Sequence, residues 1–224
     1  MSVRSGGGAG LLIRVLVRFD LSSIPAGSTV NSASLQLCYY SYLGSDPVNR
    51  LYVVYRVTTN WVEGDGTGIG TTGANWNKPD KSALPTWTTP GGDFTTSGAS
   101  PPTPVPAWIS IVGQYVTWDV TAIVKAWIES GQSNYGFLVR DPNDGVVSTD
   151  AAATFLSKES GIPPNEDWPL KPPILTVDYT LSAPVGGIVV PVDKLGVFAP
   201  YLALFGVIAA ATVVSVASRK KIEN

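Results

Sequence analysis

The residues of this chain that could do chemistry are tryptophans and carboxylates, because the chain has no histidine and one cysteine. Trp76 and Trp87 lie in a polar segment, and Trp76 is flanked by Asn75, Asn77 and Lys78. An exposed indole can stack on the apolar face of a sugar ring, while neighbouring amides bond its hydroxyls. These five residues therefore predict a carbohydrate-binding site. The alternative is that both tryptophans only pack loops onto the body of the protein.

The carboxylates suggest a second kind of site. Asp141, Asp144 and Asp150 surround a predicted turn, and calcium prefers oxygen ligands, so these three residues predict a structural calcium site. A plain β-turn is the alternative, because the spacing is not that of an EF-hand. Glu63 and Asp65 are close enough in sequence to suggest the paired acids of a glycosidase. The sequence does not fix a separation between loop carboxylates, and we expect no enzyme.

Composition excludes several classes of function. Without histidine there is no Ser-His-Asp or Cys-His relay, and a single cysteine excludes an intrachain disulfide and a cysteine-rich metal cluster. The net charge of -2 argues against a nucleic-acid partner. Residues 68–73 have the spacing G-x-G-x-x-G, but no helix pattern follows, so a surface loop is expected there. The 44% of hydrophobic residues and 14% of charged residues are typical of a chain that forms a core.

The elements that must position these residues are mostly strands. Apolar residues alternate with polar ones in seven runs, and Gly, Pro, Asn and Asp mark turns between several of them. This pattern predicts an all-β fold, a jelly-roll-like β-sandwich. In the first run, the face that carries Arg14 and Arg18 is expected to be solvated. The predicted strands are 12–19, 33–42, 51–58, 115–118, 136–140, 153–157 and 174–180.

Two segments depart from the strand pattern. Residues 119–131 repeat apolar side chains at helical spacing, which predicts one short helix with Asp119 or Thr121 at its start and Gly131 just past its end. Residues 60–107 are rich in Gly, Thr, Ser and Pro but contain three tryptophans, so we expect ordered loops laid over the sandwich. Trp118 and Trp127 are expected in the core. Tyrosines on the strands offer a rival binding platform, at Tyr39, Tyr40, Tyr42, Tyr52 and Tyr55.

The C-terminal part predicts a membrane anchor. Residues 195–218 carry no charge and would form a helix of about 36 Å, which is long enough to cross a bilayer. By the positive-inside rule the basic residues after the span lie in the cytoplasm, so the preceding domain faces outward. A buried core helix is the alternative. The residues that predict this anchor are Leu195, Phe198, Tyr201, Leu204, Phe205, Ile208, Arg219, Lys220 and Lys221.

These patterns predict four parts: an extracellular domain at 1–180, a stalk at 181–194, a transmembrane helix at 195–218 and a cytoplasmic tail at 219–224. Residues 1–10 contain no apolar stretch of signal-peptide length. We therefore expect that a signal peptide is missing from the start of this sequence. A tail-anchored cytosolic domain is the alternative, but it would leave the basic residues on the outer side.

Motifs spread over residues 13–180 resemble the DNRLRE, or disaggregatase-related, domain. The resemblance implies an extracellular β-sandwich, and some relatives are carbohydrate-binding modules of surface proteins and polysaccharide-degrading enzymes. The tail from residue 187 also resembles C-terminal anchors of archaeal surface proteins. Relatives usually have one more strand before residues 2–12, so the resemblance implies that an N-terminal strand is missing here. The motifs lie at 17–27, 33–37, 61–64, 76–79, 91–94, 118–121, 127, 134–137, 157–160 and 173–179.

Together these features predict a protein of the cell membrane with one span, an extracellular domain and a cytoplasmic C-terminus. Its expected partners are a polysaccharide or surface glycan and the lipid bilayer, and its expected role is adhesion or polysaccharide recognition without catalysis. A structural surface or filament subunit is the alternative. Such a subunit would self-associate through an exposed sheet edge that accepts a strand from a neighbour. The other explanation of an exposed edge is that the start of the sequence is truncated.

Overall fold

The computed structural model describes residues 1–6, 12–64, 71–82, 85–107, 113–146, 149–159 and 171–181. The chain divides into two compact units, Met1–Ser182 and Ala183–Asn224, and the described residues all lie in the first. The predicted span at 195–218 and tail at 219–224 are outside the described residues. Within the part of the chain that is described, no helix is long and apolar enough to cross a membrane.

Among the described residues, ten strands form two antiparallel sheets of five strands each, and one short helix accompanies them. The first sheet contains β1 (Ser2–Ser5), β3 (Thr29–Gly44), β7 (Tyr115–Asp119), β9 (Ala151–Phe155) and β10 (Ile174–Thr180). The second sheet contains β2 (Val15–Val17), β4 (Leu51–Val57), β5 (Phe94–Thr95), β6 (Thr103–Pro104) and β8 (Phe137–Arg140).

The long strand β3 organises the first sheet. Its first half pairs with β10, its second half pairs with β9, and residues 34–38 pair with β7. A bulge shifts the register between Tyr39 and Ser41, which inserts Tyr40 opposite β9. β1 pairs with the other edge of β9. In the second sheet β8 pairs with both β2 and β4, and β4 also pairs with the two-residue strands β5 and β6.

The two sheets pack face to face around one core. Leu35 and Leu37 of the first sheet and Tyr52 and Val54 of the second are fully buried in the same apolar cluster. Removing each such side chain from water contributes about 1.5–3 kcal/mol. A hydrogen bond also crosses the core, because the Trp118 indole N–H donates to the Tyr52 carbonyl at 3.1 Å. The architecture is therefore a β-sandwich, and Trp118 lies in its core as predicted.

The outer face of the second sheet is buried as well. Val53, Tyr55 and Val57 point to this face and form a second apolar cluster with Trp61 and Trp87. These tryptophans come from the segment at 60–107, which lies over the sheet. The expectation that this face is solvated at the first predicted strand holds for Arg18, which is exposed, but not for Arg14. The Arg14 side chain on that face is only 10% exposed.

The helix α1 spans Thr121–Ile128 and packs its apolar face against the core through Ile123, Val124 and Trp127. The centroid of the Trp127 ring lies 4.8 Å from that of Phe137 on β8. Trp127 is 7% exposed, as expected for a core residue. The helix therefore covers apolar surface that the two sheets alone would leave open.

The start of α1 differs slightly from the predicted cap at Asp119 or Thr121, whereas its end agrees with the prediction. Val120 occupies the N-cap position without a side-chain hydrogen bond. Asp119, one residue earlier, instead accepts the Thr121 N–H at 2.9 Å and the Thr121 hydroxyl at 2.6 Å. At the other end Gly131 has φ of +65°, which is the left-handed conformation predicted for it.

Each of the seven predicted strands overlaps an observed strand; the last has the predicted ends, and the others have ends shifted by one to four residues. The first is much shorter than predicted, because only Val15–Val17 pair with β8. The sequence did not reveal β1, β5 and β6, since strands of two to four residues show no alternation. The further N-terminal strand implied by the resemblance stays a prediction.

Candidate functional site

A tight turn at residues 75–78 presents Trp76. The Asn75 side-chain oxygen accepts the backbone N–H groups of Asn77 and Lys78, both at 2.8 Å. The Asn75 N–H in turn donates to the Lys78 carbonyl at 2.9 Å. This is the Asx-turn geometry that favours asparagine at the first position. Trp76 is 36% exposed, so the turn places an aromatic ring at the protein surface.

Trp87 lies beneath this turn and holds it in place. Its indole N–H donates to the Asn75 carbonyl at 2.7 Å, and its backbone N–H donates to the Asn77 carbonyl at 3.1 Å. The side chain is 4% exposed and belongs to the apolar cluster on the outer face of the second sheet. Trp87 therefore does not offer a ring face to solvent, contrary to the exposure that its polar neighbours suggested. Its part at this site is to support Trp76.

The ring of Trp76 is fixed from the side of the sheet. The guanidinium carbon of Arg14 lies 4.8 Å from the ring centroid. The Gly91 N–H donates to the Trp76 carbonyl at 2.6 Å. Gly91 has φ of +91°, and a Cβ there would come within 2.8 Å of the Trp76 ring. The ring and its neighbours border a cavity of about 220 Å³, whose lining includes Leu12, Ile13, Arg14, Asn75, Trp76 and Gly91.

The guanidinium of Arg14 already has protein partners. Its Nε lies 2.8 Å from an oxygen of Asp144, and a second nitrogen donates to the Gly91 carbonyl at 3.1 Å. Asp144 is only 3% exposed and also pairs with Arg140, so one carboxylate is shared between two guanidinium groups. Burial and the nearby Arg14 lower the pKa of Arg140, and Asp144 opposes that change. These contacts fix the position of Arg14 beside the Trp76 ring.

The three carboxylates predicted to bind calcium each have arginine partners. Asp144 bridges Arg14 and Arg140, and Asp150 accepts two hydrogen bonds from Arg4 at 2.7 and 2.8 Å. These hydrogen bonds hold the pKa of Asp150 below its ordinary value.

Asp141 is 2% exposed and accepts the Ser5 hydroxyl at 2.7 Å and the Arg50 guanidinium at 3.2 Å. Among the described residues no group of three or more potential metal ligands is found. The geometry favours a structural role for all three carboxylates.

The other predicted acidic pair is only partly described. Glu63 is exposed and forms an ion pair with Lys158 at 2.6 Å. Asp65 and residues 68–70 of the 68–73 loop lie outside the described residues. On the strands, Tyr39, Tyr52 and Tyr55 are buried, which leaves Tyr40 and Tyr42 as the exposed part of the rival tyrosine platform.

The structure adds a cavity that the sequence did not suggest. It has a volume of about 370 Å³ and is lined mainly by threonines, with Asp93 among them. The threonines are Thr58, Thr59, Thr88 and Thr89. Threonine is common on β-protein surfaces, so only the fold, which brings 58–59 beside 88–93, could identify this group. Arg14 and Gly91 were missed for the same reason.

Comparisons of the chain with models of known families, with curated proteins and with solved structures find no match.

Proposed function

We propose that the protein is a non-catalytic module that binds carbohydrate, with Trp76 as the stacking residue. The observation that carries this proposal is the construction around Trp76. A partly exposed indole is held by Arg14 and Gly91, supported by the buried Trp87, and bordered by a cavity. A rigid aromatic ring loses little conformational entropy on binding, which makes it suitable for stacking. The side-chain NH2 group of Asn75, whose oxygen is used within the turn, can donate to a sugar hydroxyl.

The wider setting of the module is also a proposal. We infer a jelly-roll-like sandwich of the DNRLRE type that faces the cell exterior. The uncharged segment at 195–218, followed by Arg219, Lys220 and Lys221, supports a membrane anchor with a cytoplasmic C-terminus. Alkaline extraction of membranes tests the anchor, since an integral protein stays in the pellet. Recovery of the native full-length chain in the soluble fraction would contradict it.

Binding is tested with the full-length chain in mild detergent, by a glycan array and then affinity electrophoresis on the polysaccharides that bind. Trp76→Ala should abolish retardation, while Trp76→Phe should keep part of it because a smaller ring can still stack. Tyr40→Ala is the matched control, because Tyr40 is 41% exposed on the other sheet. Loss of binding in the Tyr40 variant with full binding in Trp76→Ala would move the site to the strand platform.

A second candidate function is a structural subunit that assembles by strand exchange, and one observation favours it. β2 stands at the end of the second sheet, and among the described residues it pairs with β8 alone. Two residues before β2, Ile13 forms an isolated bridge with Arg4 of β1. A cavity of about 310 Å³, lined partly by Leu16 and Phe19, lies beside β2. An unpaired edge next to apolar surface can accept a strand from a second copy. Light scattering tests this candidate: oligomers without glycan binding would favour it over a binding module.

A further inference from the structure

The threonine-lined cavity lies next to the Trp76 cavity. Both use the same turn, because Gly91 lines the Trp76 cavity while Gly92 and Asp93 line the threonine cavity. The turn is fixed at both ends: Gly91 N–H donates to the Trp76 carbonyl, and Thr58 N–H donates to the Asp93 carbonyl at 3.0 Å. The two cavities are therefore linked by one turn of the chain that is held at both ends.

Asp93 gives the threonine cavity a negative charge. Its carboxylate accepts the Thr59 hydroxyl at 2.9 Å and the backbone N–H groups of Thr88 and Thr89 at 3.1 and 3.0 Å. Partial burial alone would raise the pKa of Asp93, but these hydrogen bonds outweigh it and keep the pKa below the ordinary value. The group is therefore ionised at neutral pH. It would repel a carboxylate or sulfate placed in the cavity.

The rest of the cavity offers hydroxyl groups. Thr58 and Thr89 are exposed, and within the part of the chain that the structure describes their hydroxyls make no hydrogen bond to protein. A hydroxyl both donates and accepts, which matches the hydroxyls of an uncharged sugar. No cation lines the threonine cavity among the described residues, so an acidic sugar placed there would face Asp93 without a compensating positive charge. Arg14, which lines the Trp76 cavity, is bonded to Asp144 and to the Gly91 carbonyl.

We propose that the threonine-lined cavity is a second subsite for the ligand of Trp76, and that this ligand is an uncharged polysaccharide spanning at least two sugar rings. The inference rests on the proposed function, since it extends the same site. One ring stacks on Trp76, and a neighbouring ring of the same polymer bonds to Thr58 and Thr89. Asp93 positions the turn between them and selects against acidic polymers.

The experiment compares two forms of one polymer, polygalacturonate and its fully methyl-esterified derivative, together with neutral β-glucan, galactomannan and xylan. The full-length chain in mild detergent is titrated by affinity electrophoresis. We expect tighter binding to at least one neutral polymer, and to the esterified form over polygalacturonate. Tighter binding to polygalacturonate would overturn the inference.

Variants separate this inference from the proposed function. Thr58→Val and Thr89→Val remove a hydroxyl at nearly constant shape, and each should weaken binding of the neutral polymer roughly 2- to 10-fold. Thr176→Val is the matched control, because Thr176 is exposed on β10 of the other sheet and should leave binding unchanged. If Trp76→Ala abolishes binding but both threonine variants bind normally, the second subsite is wrong and the Trp76 site stands. If the unsubstituted protein binds no glycan, both fail.

Discussion

The indole N–H of Trp87 donates a 2.7 Å hydrogen bond to the carbonyl of Asn75, the residue that precedes Trp76. A buried tryptophan thus holds the turn that exposes another tryptophan. The two residues are of the same type and lie in similar polar sequence, yet one is 4% exposed and the other 36%. Their roles are therefore separable by substitution.

Trp87→Ala should destabilise the protein by about 3–5 kcal/mol, because it leaves a cavity in the outer cluster and frees the turn at 75–78. Trp76→Ala should cost about 1 kcal/mol or less, mainly the contact with Arg14. Urea unfolding followed by circular dichroism measures both free energies. Equal losses in the two variants would contradict the division into a supporting and a presenting residue.

Asp144 is expected to be the most costly carboxylate to remove. Asp144→Ala would leave Arg14 and Arg140 unpaired in a nearly buried setting, and losses of about 3–5 kcal/mol are typical of such broken pairs. Asp150→Ala is the matched control, because the Arg4–Asp150 pair is more exposed and water can replace it. The free energies of unfolding of the two variants test the difference. A larger loss in Asp150→Ala would show that burial does not set the cost.

Calcium should not stabilise the protein through Asp141, Asp144 and Asp150, because arginines already satisfy these carboxylates. Calcium bound to these carboxylates would break their ion pairs and leave the arginines without a partner. Thermal unfolding with EDTA and with added calcium measures the effect. A calcium-dependent rise in Tm that disappears in Asp150→Asn would contradict the expectation.

The sequence predicted the sandwich better than the site. The alternation of apolar and polar residues located β3, β4, β7, β8, β9 and β10, because successive residues of a half-buried strand point to the core and to solvent in turn. It did not reveal which face the loops cover, because the burial of Trp87 depends on distant residues of β4. The threonine-lined cavity was not predicted either, because the fold brings together residues that are distant in the sequence. Of the arginine partners of the predicted calcium ligands, Arg140 lies four residues before Asp144, but the other three lie 91, 130 and 146 residues from their carboxylates, so the sequence could not indicate them.

Acid should weaken the start of α1. Hydrogen bonds from the Thr121 side chain and backbone lower the pKa of Asp119 below the ordinary value of 3.8. Because the pKa of Asp119 is lower in the folded than in the unfolded state, Asp119 stabilises the fold at pH values above its unfolded-state pKa. This stabilisation is lost as the pH falls through its folded-state pKa. Asp119→Ala should cost about 1 kcal/mol at pH 7. Urea unfolding should show a smaller difference in free energy of unfolding between the unsubstituted protein and Asp119→Ala at pH 3 than at pH 7. An equal difference at both pH values would show that the ionised carboxylate is not the source of the stabilisation.

Two glycines with similar backbone angles should respond very differently to alanine. Gly131 has φ of +65° and a Cβ there would meet nothing within 4 Å, so Gly131→Ala should cost only the left-handed strain of about 1 kcal/mol. Gly136 has φ of +83°, and its Cβ would lie 2.4 Å from the Val17 carbonyl oxygen.

Gly136→Ala must therefore displace β2 from β8 as well as strain the backbone, with a loss of about 3 kcal/mol. The two free energies of unfolding, measured by urea denaturation, decide between strain and contact. Comparable losses would mean that β2 moves freely, and the short pairing at Val15–Val17 would then contribute little to the sandwich. A much larger loss in Gly136→Ala would instead show that β2 is held firmly against β8.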